Sequence, residues 1–150
     1  MKKILALFLA LSCFSVPTFA DDENITVKLY GEEIHDKGVI INGRTLLPVR
    51  EIFEKLGYTV DYNAEEKSAL ISKGDFIKVK YFNNEYKMTN GDTEIPLDVP
   101  AQIVNDKFMF PVRSIDHIIL INIDWDAETK TVELTRNNAV QIVATGPAEE

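Results

Sequence analysis

The residues of this chain that could carry chemistry are few, and their spacing allows little. His35 and His117 are the only histidines and Cys13 the only thiol, so a His- or Cys-rich transition-metal cage lacks ligands. Asp61-Tyr62-Asn63-Ala64-Glu65 and Asp124-Trp125-Asp126-Ala127-Glu128 begin as calcium loops do, with oxygen donors at positions one, three and five. Such a loop needs glycine at its sixth position and a bidentate glutamate at its twelfth. Here those places hold Glu66 or Thr129 and Ser72 or Thr135. Both strings therefore read as hairpin turns in which an aspartate accepts backbone N–H bonds.

Arg50 and Arg113 present forked guanidinium groups that suit a carboxylate, but bonding to loop carbonyls or nearby acids is the simpler role. Tyr62 and Trp125 offer flat faces for a sugar. They share strand parity with Val60 and Ile123, which assigns them to the apolar, core-facing side. Ser68, Ser72 and Ser114 have no Gly-x-Ser-x-Gly elbow around them, and no glycine-rich phosphate loop occurs. No catalytic, cofactor-binding or metal-binding residue is predicted.

One surface remains. If Asn83-Asn84 is a two-residue turn, Lys80 faces Lys87 across a hairpin with Lys78 alongside, an unfavourable like-charge pairing. Lys78, Lys80 and Lys87 would then make a basic patch for an anionic polymer, against the plainer role of deterring edge pairing.

Positioning these side chains falls to a short, ordered set of elements. The 150 residues carry 24 acids and 16 bases, a formal charge of −8. That is room for one ordinary domain, and its sign argues against a nucleic-acid partner. Residues 1–20 have a cationic start, an apolar run from Ile4 to Phe14 and small residues at the exit, the layout of a secretory signal peptide. The run is too short to span a bilayer. Cleavage after Ala20 is the best-formed cut, and lipid anchoring at Cys13 is the weaker alternative. Removing the segment leaves 14 bases against 24 acids, or −10, with no cysteine. No second apolar run follows, so no transmembrane segment is expected.

The rest, over 21–137, aligns with itself at a shift of 63 residues. Asn42-Gly43 to Pro48-Val49-Arg50 falls on Asn105-Asp106 to Pro111-Val112-Arg113, and Val60-Asp61-Tyr62 on Ile123-Asp124-Trp125. This predicts two units, about 34–72 and 97–135, each a hairpin, a helix and a second hairpin. Asn42-Gly43 is a tight-turn signal, and Pro48 suits the first turn of a helix that Gly57 ends. In the second unit Leu120 stands in place of Gly57, so a shorter helix is expected. Phe76 to Phe82 and Glu85 to Thr89 form an added hairpin between the units. Residues 138–150 read as a flexible tail in which Val140 to Ala144 could add an edge strand. The expected fold class is α+β, a mainly antiparallel sheet wrapped around one or two short helices.

The string from Val39 to Arg50, with Leu56-Gly57-Tyr58-Thr59-Val60-Asp61-Tyr62 after it, resembles the copper amine oxidase N-terminal domain-like family, or stalk domain. So does Leu97-Asp98-Val99-Pro100-Ala101-Gln102-Ile103-Val104-Asn105, leading to Phe110-Pro111-Val112-Arg113 and Asp124 to Lys130. The resemblance covers roughly residues 25–136. It implies a secreted or surface-displayed bacterial module with antiparallel strands around a helix. It does not imply copper chemistry, for the chain has two histidines where the oxidase needs three, and no cofactor-forming Thr-x-x-Asn-Tyr string. The expected function is a non-catalytic stalk-like module for binding, spacing or adhesion at the cell envelope, with a wall polymer or another envelope protein as partner. The alternatives are a cell-wall polymer- or carbohydrate-binding protein and an envelope enzyme or metal carrier.

Overall fold

At Asn42-Gly43 the chain reverses in two residues, both with positive φ (51° and 73°), the twist that matches the strands on either side. Asn105 and Asp106 make the same reversal with φ of 49° and 64°. Asparagine and glycine adopt this conformation cheaply, whereas a β-branched residue does so at about 1–2 kcal/mol. Gly43→Val is therefore expected to destabilise the protein by about 1–2 kcal/mol. Asp106→Gly should stabilise it by about 0.5 kcal/mol, the strain relief being partly offset by a more flexible unfolded chain. Urea midpoints of the two variants check both signs.

These turns join the first of the ladders in a computed structural model that describes residues 22–138. Strands β1 (Asp22–Leu29), β2 (Glu32–Glu33), β3 (Gly38–Ile41) and β4 (Arg44–Pro48) lead into helix α1 (Val49–Lys55). Then follow β5 (Thr59–Asn63), β6 (Ser68–Lys73), β7 (Ile77–Phe82), β8 (Lys87–Asn90) and β9 (Thr93–Pro96). After β10 (Gln102–Val104) and β11 (Lys107–Pro111), a 3₁₀ helix (Val112–His117) precedes β12 (Ile121–Asp126) and β13 (Thr131–Arg136). One sheet has the order β10-β11-β4-β3-β1-β13-β12, with β2 paired to β1; the other runs β5-β6-β7-β8-β9. The fold is α+β and mostly sheet. Its pairs are antiparallel except β1–β13, which is parallel. Where β4 meets β11, Leu47 stands opposite Phe110.

Helix α1 is held against both sheets by Val49, Ile52 and Phe53, all fully buried. Its end is set by Gly57 at φ 85°. The amide of Gly57 donates to the Glu54 carbonyl and that of Tyr58 to the Phe53 carbonyl, the paired bonds of a Schellman stop. Tyr58 and Phe53 add the apolar contact of that motif, edge to face with centroids 5.7 Å apart. Pro48 (φ −67°) is the last residue of β4 and caps the helix instead of sitting in its first turn as expected. Proline's fixed φ suits both places, and the register opposite Met109 makes it a strand residue. Leu120, where the glycine would stand in the second half, is exposed. The helix there ends at His117, and Asn90 Nδ2 donates to the His117 carbonyl from β8 at 2.9 Å.

The hairpin of β7 and β8 departs from expectation. Tyr81 pairs with Met88 and Lys80 with Thr89, so Lys80 does not face Lys87. Long-range bonds set this register: the Asn83 amide donates to the Lys67 carbonyl and the Asn84 amide to the Ala101 carbonyl. Asn83 Oδ1 also accepts the Ile103 amide. The loop is thereby drawn out to Asn83–Tyr86 in place of a two-residue turn. The next reversal is Gly91-Asp92, since Asn90 pairs with Thr93. Among the described residues no helix is long and apolar enough to cross a membrane. The signal segment, Cys13 and Val140 to Ala144 lie outside the described residues.

Candidate functional site

The third residue of each acidic string closes its hairpin. Asn63 Oδ1 accepts the amides of Glu65 (2.9 Å) and Glu66 (3.1 Å). Asp126 Oδ1 does the same for Glu128 (3.0 Å) and Thr129 (3.3 Å). These bonds, Thr129 first and then Glu128, hold the Asp126 carboxyl below the usual aspartate range. One side-chain oxygen of the third residue in each string is thus engaged with backbone.

His35, Asp36 and Glu51 bring ligand-type atoms within 4.8 Å of one another, but the bonding among them is that of a loop clamp. Glu51 in α1 accepts the His35 amide with one oxygen and the Asp36 amide with the other, each at 2.7 Å. Asp36 in turn takes a 2.7 Å bond from Lys107 Nζ on β11. Burial opposes ionisation of Asp36, yet the hydrogen bonds from Lys107 and His35 outweigh it and lower its pKa. A carboxyl with a depressed folded pKa contributes stability above its unfolded value, near pH 4, and loses it as pH falls through the folded one. Lys107→Met is therefore expected to lower stability at pH 6 by about 0.5 kcal/mol, small because the lysine is half exposed. At pH 2.5 the loss should vanish. Urea titrations at the two pH values check this, and an equal loss at both contradicts it.

The lysines expected to form a patch are each met by acid, except one. Lys80 pairs with Glu66 at 2.9 Å, and Lys87 lies 3.5 Å from Glu85 and 3.7 Å from Glu94. Lys78 alone of the three makes no ion pair among the described residues. Arg50 bonds Glu54 one helical turn away at 2.9 Å, and Arg113 is exposed with no such partner among the described residues.

Tyr62 and Trp125 are not buried as their strand parity implied, being 42% and 46% exposed. Parity places them on the apolar side, but what covers that side differs. Tyr62 lies in a groove of about 390 Å³ with Pro48, Arg50, Lys107 and Phe108, its ring 5.8 Å from that of Phe108. Trp125 lies in a wider groove of about 680 Å³, where Pro111, Arg113, Arg44 and Thr45 hold the corresponding places. Thr45 has no ring to lay against Trp125, so that groove stays open. Arg44 on its rim is bonded to Asp98, which holds the Asp98 carboxyl below its usual range. Trp125 appeared in the sequence as core; only the Thr45-for-Phe108 difference, 63 positions apart, signalled an open site.

Fold and site together define a small two-sheet α+β domain with an aromatic groove at one margin. The chain belongs to the family described as the copper amine oxidase N-terminal domain, which matches residues 24–134. It is also similar to a protein of Brevibacillus choshinensis named "Protease inhibitor", with 28% identity over 112 residues. That match covers 71% of this chain and 34% of the relative, so the chain spans about a third of the relative's length.

Proposed function

We propose that the chain is a secreted or surface-held, non-catalytic module that binds another component of the bacterial envelope. The observation that carries this reading is the open groove beside Trp125, a half-exposed aromatic flanked by charged side chains. Such a surface recognises partners by shape and charge. The ionisable clusters elsewhere are engaged in holding turns and loops. In this reading the leader over residues 1–20 is removed after Ala20, and Cys13 goes with it.

The same proposal takes the domain as two copies of one unit, 34–72 and 97–135. The shift of 63 that aligns the sequence also superposes the strand bounds of β6 and β13, and Leu47 stands opposite Phe110, its own counterpart. Asn42, Gly43, Pro48, Arg50 and Gly57 in the first unit, and Asn105, Pro111, Arg113 and Trp125 in the second, are then its structural signature.

A second reading, binding of an anionic wall polymer by Lys78, Lys80 and Lys87, has the hairpin of β7 and β8 behind it, although two of the three are paired with acids. The relative's name brings a third, inhibition of a protease. Co-sedimentation with isolated envelopes separates the first two. The groove reading expects the chain to pellet with envelopes and the Lys80→Glu, Lys87→Glu double variant to bind within about twofold of it, as exposed paired charges contribute little. A loss of tenfold or more, about 1.4 kcal/mol, favours the polymer reading.

A further inference from the structure

We propose that the groove beside Trp125 takes an extended segment of a partner protein, with alternating apolar and basic side chains, that adds to the outer edge of β12 as a further strand. The proposal deepens the binding-module reading and rests on it. Among the described residues β12 ends the larger sheet, and an edge strand presents a row of unpaired N–H and C=O groups. Five consecutive residues of β12, Ile121 to Trp125, line the groove. Side chains alternate along a strand, so a groove on one face would touch only every second residue. In the smaller groove β5 contributes only Val60 and Tyr62, so that groove lies on a face. The wider one also reaches Val132 on β13, opposite Trp125, and so runs from the sheet face out over its edge at β12, where an added strand can pair.

The two faces of β12 specify the segment. Ile121, Ile123 and Trp125 share one parity, and Trp125 is half exposed, so apolar side chains fit there. Asn122, Asp124 and Asp126 share the other, and Asp124 stands opposite Glu133 on β13. Like charges directly across a strand pair are unfavourable, and a basic side chain beside them relieves the repulsion. Within the groove Arg44 is taken up by Asp98, while Arg113, Asp116 and Asp124 make no ion pair among the described residues. The charge left is net negative, on a chain of −8. A second copy of the chain would bring the same aspartates to the edge, which disfavours self-pairing.

Trp125 is the only tryptophan, so its emission reports on this groove alone. The purified chain is titrated with a ten-residue peptide alternating valine and lysine, and with its valine–glutamate counterpart. The lysine peptide is expected to shift the emission to the blue saturably and to bind about tenfold or more tighter than the glutamate peptide. Asp124→Asn should weaken it about threefold. N-methylation of every second residue should abolish binding in one phase and spare it in the other, because only one edge of the added strand pairs with β12. Equal binding by both methylated forms overturns the proposal. So does an emission shift with an N-acetylglucosamine hexamer and none with the lysine peptide. Binding only by a chain ending at Asn138 overturns it too, since the groove would then belong to residues 139–150. A chain that pellets with envelopes while its Trp125 ignores the lysine peptide defeats this site alone; a chain that does neither defeats the module reading as well.

Discussion

Phe110→Ala is expected to lower stability by about 3–5 kcal/mol, the usual cost of emptying a fully buried aromatic site. Phe110 has no exposure and sits where three elements converge. Its ring lies 5.1 Å from that of Phe53 in α1 and 5.7 Å from that of Tyr81 in β7, and its backbone is opposite Leu47 in β4. It therefore joins the helix to both sheets. A domain with about 5–15 kcal/mol in total would keep little margin. Phe76, 97% exposed, is the internal control, and Phe76→Ala should change stability by no more than about 0.5 kcal/mol. Urea unfolding followed by far-ultraviolet circular dichroism compares the two. A loss below about 1.5 kcal/mol for Phe110→Ala, far short of a large-to-small core change, would contradict this packing.

Ser114→Ala should cost about 2–3 kcal/mol, more than removing its hydrogen-bond partner along with it. The Ser114 hydroxyl donates to the Pro111 carbonyl at 2.6 Å. Its oxygen accepts the Tyr81 hydroxyl, also at 2.6 Å. Burial pushes the Tyr81 pKa up, with the Ser114 bond opposing, so the phenol keeps its proton and acts as donor. Ser114→Ala leaves that hydroxyl buried and unpaired, whereas Tyr81→Phe with Ser114→Ala removes the stranded group. The double variant is therefore expected to be more stable than Ser114→Ala alone by about 1 kcal/mol. A double variant less stable than the single would show that the hydroxyl finds water and that this link between β7 and the 3₁₀ helix is loose.

The features legible in the sequence were those set by neighbours in the chain. Asn42-Gly43 forms its turn because both residues accept positive φ, and Gly57 ends α1 for the same reason. Leu120 cannot stand in for Gly57, and the helix before it is short. What stayed hidden depends on distant partners. Asn83 and Asn84 looked like a tight turn, but Lys67, Ala101 and Ile103 draw their polar groups away and shift the register that Lys80 and Lys87 had seemed to share. Strand parity put Tyr62 and Trp125 on the right side without saying whether anything covers them, which Phe108 does in part for one and Thr45 does not for the other. The parallel pairing of β1 with β13 joins opposite ends of the fold, and no local periodicity records it. Gly38 depends on the same kind of distant contact: a Cβ there would lie 2.9 Å from Leu47 Cδ2 and 3.0 Å from the Leu46 carbonyl.

That the chain works by binding through the groove beside Trp125 is tested most directly by co-sedimentation of Trp125→Ala with isolated envelopes, beside the unaltered chain. Trp125 is half exposed and has no ring partner among the described residues, so the variant should fold with nearly unchanged stability, which a thermal melt verifies. The expected result is a loss of retention of about tenfold or more, the effect of removing an aromatic anchor from an interface. Retention equal to that of the unaltered chain, with folding intact, would contradict the account.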